Sequence, residues 1–127
     1  MGLFLKIDGI AGESIITGHA GEIELLSWGW GTRVVGSSSQ GGGGSGKVII
    51  NALNFSAATS KASPKLLQAL TMGKHIFHAQ LTVTSDGEAR NDLMYVKLTD
   101  VTVTGFHVGQ IAEQLLPSEN WTLTFSK

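Results

Sequence analysis

Residues 76–84 read IFHAQLTVT, and this stretch decides the fold class. Its apolar side chains alternate with polar ones, Phe77, Ala79, Leu81 and Val83 against His78, Gln80, Thr82 and Thr84. Successive side chains of a strand point to opposite faces, so this alternation predicts a half-buried strand with one wet face. Residues 121–126 alternate in the same way. The sequence therefore predicts a mainly β protein.

A hairpin turn signal, Asp86-Gly87, follows this strand. It predicts antiparallel pairing between strands of about 76–84 and 93–105. The second strand changes phase, because Leu98 and Val101 have opposite parity. A β-bulge near residues 99–100 would bring both apolar sets to one side. The alternative is that different neighbours cover the two faces.

The segment 22–35 is apolar on both faces. Ile23 and Leu25 point one way, whereas Leu26, Trp28 and Trp30 point the other. A strand that is apolar on both faces is buried on both. The pattern fits a strand passing from one packed sheet to another, and it also fits a face covered by another subunit.

One helix is predicted at about 64–72. Ser63 is a good N-cap, and Pro64 suits the first helical position, where its missing N–H costs little. Leucines over 66–70 give a one-sided apolar stripe, and Gly73 supplies the stop signal.

Composition limits the class of protein. The 127 residues fit a single domain, 1–127, and the absence of cysteine excludes disulfides and thiolate metal sites. The net charge of −1 does not indicate a basic surface that would bind nucleic acid. The N-terminus has no secretory signal pattern, and no apolar run is long enough to span a membrane. Charged residues make up 15% of the chain, against about 25% in typical domains. This indicates either that a partner covers part of the surface or that the chain is simply a Gly-rich β protein.

The stretch GGGGSGK, residues 41–47, matches most of a phosphate-binding loop. That motif requires Ser or Thr next and then opens a helix, but Val48 follows here and begins a β-like run. Nucleotide binding is therefore not predicted.

No other motif points to catalysis, a cofactor or a metal. His75 and His78 lie three apart, so on a strand they point to opposite faces and cannot share an ion. Each histidine, including His19 and His107, is expected either to be hydrogen-bonded within the protein or to be exposed to solvent. There is no G-x-S-x-G elbow. Glu22 and Glu24 share a strand face, where solvent exposure is expected rather than a carboxylate pair.

Several stretches resemble the Hcp family, the haemolysin-coregulated tube proteins of bacterial type VI secretion. They run in matching order from end to end: FLKIDGIAGES at 4–14, GEIELLSWGWG at 21–31, GSGKVIINALNF at 44–55, SPKLLQALTMGKH at 63–75 and NWTLTFSK at 120–127. The first strand and Trp28-Gly29-Trp30 are the most specific parts. Family members usually continue with further C-terminal β-structure, so this chain is shorter than is usual for the family.

The resemblance implies two antiparallel sheets packed as a small barrel-like sandwich with one flanking helix. It also implies a structural subunit, not an enzyme, whose hexameric rings stack into the inner tube and carry effectors in the lumen. The implied partners are further copies of the chain, a VgrG-like tip spike protein, the contractile sheath and effector proteins, with no nucleic acid and no membrane insertion. The implied location is the bacterial cytoplasm before firing and then outside the cell. The alternatives are a phage-like tail tube protein of another contractile injection system and a small β-fold enzyme.

This function explains the low charge and the two-faced segment as subunit–subunit burial. Rings close through heterologous contacts between different patches. The expected interface residues are Trp28, Trp30, Gly42, Gly43, Gly44, Ser45 and Lys47. The glycine-rich loop is expected to join two strands near a ring edge.

Overall fold

The computed structural model describes residues 2–36, 47–85, 92–109, 112 and 117–127, with only the backbone at 33–36 and 47–50. Along these parts the chain forms β1 (Gly2–Ile7), β2 (Ile23–Glu24), β3 (Ser27–Gly36), β4 (Lys47–Ala58), α1 (Ala62–Met72), β5 (His75–Thr84), β6 (Asp92–Gly109) and β7 (Ser118–Phe125). The strands pair antiparallel in the order β2-β1-β5-β6-β7-β4-β3. The mainly β class with a flanking helix is confirmed.

The sheet differs in one respect from the two sheets expected. Strand β6 is 18 residues long, and it pairs with β5 through its first part and with β7 through its second. Because one strand belongs to both halves, all seven strands form one continuous sheet.

The two ends of this sheet, β2 and β3, are separated by only Leu25 and Leu26. The Leu25 N–H donates to the Leu3 carbonyl at 2.9 Å, and the next N–H, that of Leu26, donates to the Ser56 carbonyl at 2.7 Å. The segment therefore leaves β1 and joins β4, as expected for a strand that passes between packed layers.

The core lies on one side of the sheet, where side chains from β1, β2 and β4–β7 meet α1. Its largest fully buried members are Trp121, Phe55, Leu5, Leu53, Leu66, Leu81, Leu98, Leu123, Val101 and Val103. The helix contributes Ala62, Leu66 and Ala69, which share one face at intervals of four and three residues.

The predicted alternation of β5 is wrong at its start. Phe77 is 79% exposed, whereas Ile76 is buried together with Ala79. The partner strand shows the same interval, because Leu98 and Val101 are both buried. In both strands, therefore, the alternation of buried and exposed side chains shifts by one residue, and it shifts at positions that pair with each other.

The phase change lies at residues 99–100, as predicted, but no extra residue creates it. The pairs His75–Thr102 and His78–Thr99 keep one register across the site. Instead Asp100 has a φ of 59°, a left-handed conformation that rotates the following side chains. The expected bulge is thus replaced by a local distortion of two paired strands.

The helix begins two residues earlier than predicted. Lys61 is at the N-cap without a side-chain hydrogen bond, and the Ser63 hydroxyl donates instead to Glu119 at 2.7 Å. The predicted cap is therefore wrong. The predicted stop is confirmed, since Gly73 adopts a φ of 61° and its N–H reaches the last helical carbonyls.

The face of β1 and β5 opposite the core is also covered. Phe4, Thr82 and Thr84 are buried there, so the wet face expected for β5 is wrong at its C-terminal half. His19, which belongs to residues 8–22, here called the outer segment, provides part of this cover, because its ring stacks on Phe4.

Candidate assembly surfaces

The two tryptophans predicted for the interface lie on one face of β3. Trp28 pairs across the strands with Phe55, and Trp30 pairs with Leu53, so both indoles share the core side of the sheet. Trp28 is partly buried against the core. Trp30 is 56% exposed, and its ring meets Phe125 with centroids 6.4 Å apart. Trp30 therefore presents apolar surface at the edge of the core.

The other predicted interface residues are not tested. Gly42, Gly43, Gly44 and Ser45 lie outside the described residues. Lys47 begins β4, where its backbone pairs with Gly36, and its side chain is outside the described part.

Further apolar side chains are exposed that the sequence did not single out. Ile15 is 91% exposed and Phe77 is 79% exposed. The others are Leu26, Leu67, Met72, Leu93, Met94, Tyr95, Phe106 and Val108. Contiguous apolar patches mark surfaces that bind other proteins, and these side chains are the candidates for such a patch among the described residues. Phe77 was missed because alternation placed it inside.

The reverse side of the β3–β4–β7–β6 part of the sheet forms a polar face. It consists of small or uncharged residues in register, Ser27, Gly29, Gly31, Ala52, Asn54, Ser56, Asn120, Thr122, Thr124, Gly105 and His107. Side-chain hydrogen bonds run across it, 2.6 Å between the hydroxyls of Ser27 and Ser56 and 2.7 Å from the Thr122 hydroxyl to Asn54. The alternation predicted for β7 is confirmed, with Trp121 and Leu123 buried beneath this face.

A histidine–carboxylate pair occurs at the strand distortion. His75 Nδ1 lies 2.7 Å from Asp100 Oδ1, and the Ser126 hydroxyl donates to Asp100 Oδ2 at 2.8 Å. Those bonds, that of Ser126 first, lower the pKa of Asp100 below its ordinary value. Because the hydroxyl bonds the carboxylate and not the imidazole, the trio lacks the nucleophile–base contact of hydrolases.

The acidic residues of 22–24 do not form a pair. Glu22 precedes β2 and bonds His19, while Glu24 is exposed. His78 lies 3.6 Å from Asp8, so it meets a different carboxylate from His75. Among the described residues, no cluster of three or more histidine and acidic side chains is placed to hold a metal ion. No helix in the same residues has the length and apolarity to cross a membrane.

Comparison with known proteins agrees with this architecture. Residues 4–127 match the family described as type VI secretion system effector, Hcp. The protein hcp1 of Pseudomonas aeruginosa is 36% identical, over 98% of this chain and 78% of that protein.

Two solved structures show the same fold. A type VI secretion system effector from Yersinia pestis is 31% identical with a TM-score of 0.75, covering 97% of this chain and 83% of its own. Hcp1 from Salmonella typhimurium is 30% identical with a TM-score of 0.74, covering 98% and 81%. The chain therefore belongs to the Hcp family, and it is a structural tube protein of a type VI secretion system.

Proposed function

We propose that this chain forms closed hexameric rings through its exposed apolar side chains and that the rings stack into the inner tube of the secretion system. The observation that carries the proposal is Trp30, a large side chain that the subunit leaves 56% exposed at the edge of its own core. A ring contact is heterologous, so a patch around Trp30 would meet a different patch of the neighbouring subunit.

The energy available at Trp30 is sufficient to matter. A tryptophan buries roughly 150–250 Å² when it is fully covered, so about 100 Å² remains to be covered here. At about 25 cal/mol per Å² this stabilises each contact by about 2–3 kcal/mol. The same contact occurs at every interface of a ring, so its loss affects the whole particle.

The test compares Trp30→Ala with Trp28→Ala. Trp30→Ala is expected to shift particle mass from rings towards monomers, with little change in urea unfolding of the subunit, because its indole is mostly exposed. Trp28→Ala is expected to lower subunit stability, because its indole packs against the core. Light scattering gives the mass and urea unfolding gives the stability. If Trp30→Ala leaves the particle mass unchanged, the proposed interface is wrong.

We also propose that the polar face lines the tube lumen and contacts effectors. Small, mostly uncharged side chains in the rows from Ser27 to Gly31 leave a wall with little charge to select cargo, and Arg33 begins the next row on the same face of β3. The opposite side of the molecule carries α1, which would then face outward.

The remaining proposed partners lie outside the ring. They are a tip spike protein at the end of the tube and the contractile sheath around it. On this proposal the subunit is held in the bacterial cytoplasm until contraction and is then exported with the tube. Support comes from membership of the Hcp family. Pull-down of the assembled tube, with the unassembled Trp30→Ala subunit as the control, tests whether sheath and spike recognise the stack.

A further inference from the structure

His19 lies between two carboxylates and an aromatic ring. Its Nδ1 is 3.0 Å from Glu22 Oε1, and its Nε2 is 3.1 Å from Asp92 Oδ1. The imidazole stacks on Phe4 with centroids 4.5 Å apart and planes 5° from parallel. The side chain is only 12% exposed, so these contacts form most of its surroundings.

This geometry requires a charged imidazole. An ionised carboxylate only accepts hydrogen bonds, and a neutral imidazole has one N–H to donate. Both carboxylates can receive a hydrogen bond from His19 only when both ring nitrogens are protonated. The stacking favours the same form, because a cation is attracted to the face of an aromatic ring.

The contacts of His19 join the outer segment to distant strands. Phe4 belongs to β1, and Asp92, at the start of β6, lies 73 residues away in sequence. The segment is folded on itself by backbone bonds between Gly12 and Gly21 and between Ser14 and Glu22. Its turns at Gly9, Gly18 and Gly21 have positive φ angles, so the backbone reverses direction through glycines.

We propose that His19 is a pH-dependent latch, which in its protonated form fastens the outer segment across β1 and onto β6. Deprotonation removes one of its two donors and the attraction to Phe4. The part of the segment around His19 then opens more readily over Phe4, while Ile10 stays packed in the core and the Asp8 N–H stays bonded to the His78 carbonyl.

The direction of the pH effect follows from the pKa of His19. Burial lowers this pKa, but the hydrogen bonds that His19 donates to Glu22 and Asp92, with the negative charge of both carboxylates, outweigh burial and raise the pKa above its ordinary value. A raised pKa means that the latch contributes fully below about pH 6.5, the unfolded value. Its contribution is lost as the pH rises through the pKa of the folded protein.

Other charged groups nearby do not replace the latch. Lys6 lies two residues from Phe4 on the same face of β1, and Glu24 pairs with Phe4 from β2. Both are exposed, so solvent screens them. In the outer segment, Asp8 faces His78 and Glu13 accepts from the Lys61 N–H. On β5 this face carries His78, Gln80, Thr82 and Thr84, and the residues of β6 paired with Gln80 and Thr82 are Lys97 and Tyr95. His78, Lys97 and Tyr95 are exposed, and the Lys97 ammonium lies over the Tyr95 ring.

Hydrogen exchange of the outer segment tests the proposal on the full chain. Protection factors around His19, for residues 14–22, are expected to be high at about pH 5.5, to fall by up to about tenfold per pH unit between about pH 6.5 and the pKa of the folded protein, and to level off above it. In His19→Gln, which keeps a polar side chain but cannot become charged, protection is expected to be low and independent of pH. His107→Gln, at an exposed position of β6, is the matched control and should behave like the natural chain.

A second measurement covers the case in which His19→Gln folds poorly. An NMR titration of the His19 ring protons should give a pKa above the ordinary histidine value, and Asp92→Asn, at the exposed end of the latch, should lower it. A His19 pKa at or below the ordinary value overturns the proposal, as does unchanged protection across the pH range in the natural chain. Neither readout depends on ring formation, so particle mass reports separately on the proposed assembly.

Discussion

Gly12 is a position where one additional carbon should damage the fold. A Cβ there would lie 2.6 Å from Ile23 Cα and still closer to the Glu22 carbonyl, and both are backbone atoms that cannot rotate away. Gly12→Ala should therefore force the outer segment off β2 and lower the free energy of unfolding by about 1–3 kcal/mol. Urea unfolding measures this loss.

The matched control for Gly12 is Gly29→Ala. Nothing lies within 4 Å of a Cβ at Gly29, which is in a strand and has no positive φ. This variant should unfold close to the natural chain. Equal unfolding midpoints for the two alanine variants would show that the backbone of the outer segment can shift to accept a side chain.

Asp100 shows why some residues could not be placed from sequence. The spacing of apolar residues in β6 indicated that the alternation shifts at residues 99–100, because buried side chains must all lie on one side of the sheet. It could not identify a left-handed Asp100, which is fixed by partners 25 and 26 residues away, His75 and Ser126. For the same reason, alternation placed Phe77 on the buried face, although Ile76 is the residue buried there.

At the scale of elements, Glu119 connects β7 to the start of α1. Its side chain is 5% exposed and accepts from the hydroxyls of Thr59 and Ser63 and from the Trp121 indole N–H. Glu119→Ala removes three acceptor contacts and leaves the buried indole N–H without a partner. We expect a loss of about 1–3 kcal/mol in the free energy of unfolding and weaker helical circular dichroism near the transition.

Two variants make this prediction specific. Glu119→Gln keeps an acceptor of similar shape and should lose less stability than the alanine variant. Glu24→Ala removes an exposed carboxylate from β2 and should change stability little. If Glu119→Ala and Glu24→Ala have the same free energy of unfolding, the bonds at the start of α1 do not contribute to stability.

The two ends of α1 differ in how far sequence could predict them. Gly73 ends the helix through its own backbone conformation, which is a local property, and the prediction was correct. Ser63 is a capping residue by type, but its hydroxyl is taken by Glu119, 56 residues away. The helix therefore starts at Ala62 rather than at the residue with the best local signal.

At the scale of the whole molecule, sequence predicted the β class, the flanking helix and the family. It could not predict that β6 unites both halves of the sheet, because pairing partners are not visible in alternation. Nor could alternation show what lies above a polar residue, so Thr82 and Thr84 were expected to be solvent-exposed although both are buried. For the assembly surfaces, Trp30 stood out in the sequence, whereas Ile15 and Phe77 were recognisable only from their exposure.

The proposed lumen can be tested because the chain has no cysteine, so one introduced thiol reports on one position. Asn54→Cys lies in the middle of the polar face, and Gln68→Cys lies on the exposed side of α1. If the polar face lines the lumen, Asn54→Cys in stacked rings should react readily with a small maleimide but slowly with one carrying a large poly(ethylene glycol) chain. Mass spectrometry follows both reactions.

The two positions should differ only when the rings are assembled, because the polar face is open to solvent in the isolated subunit. Gln68→Cys should react with both reagents at similar relative rates in either state, since α1 lies on the opposite side of the sheet. Dissociating the rings through Trp30→Ala in the Asn54→Cys background should restore labelling by the large reagent. Rapid labelling of Asn54→Cys by the large reagent in intact stacks would instead place the polar face on the outside of the tube and assign the lumen to another surface.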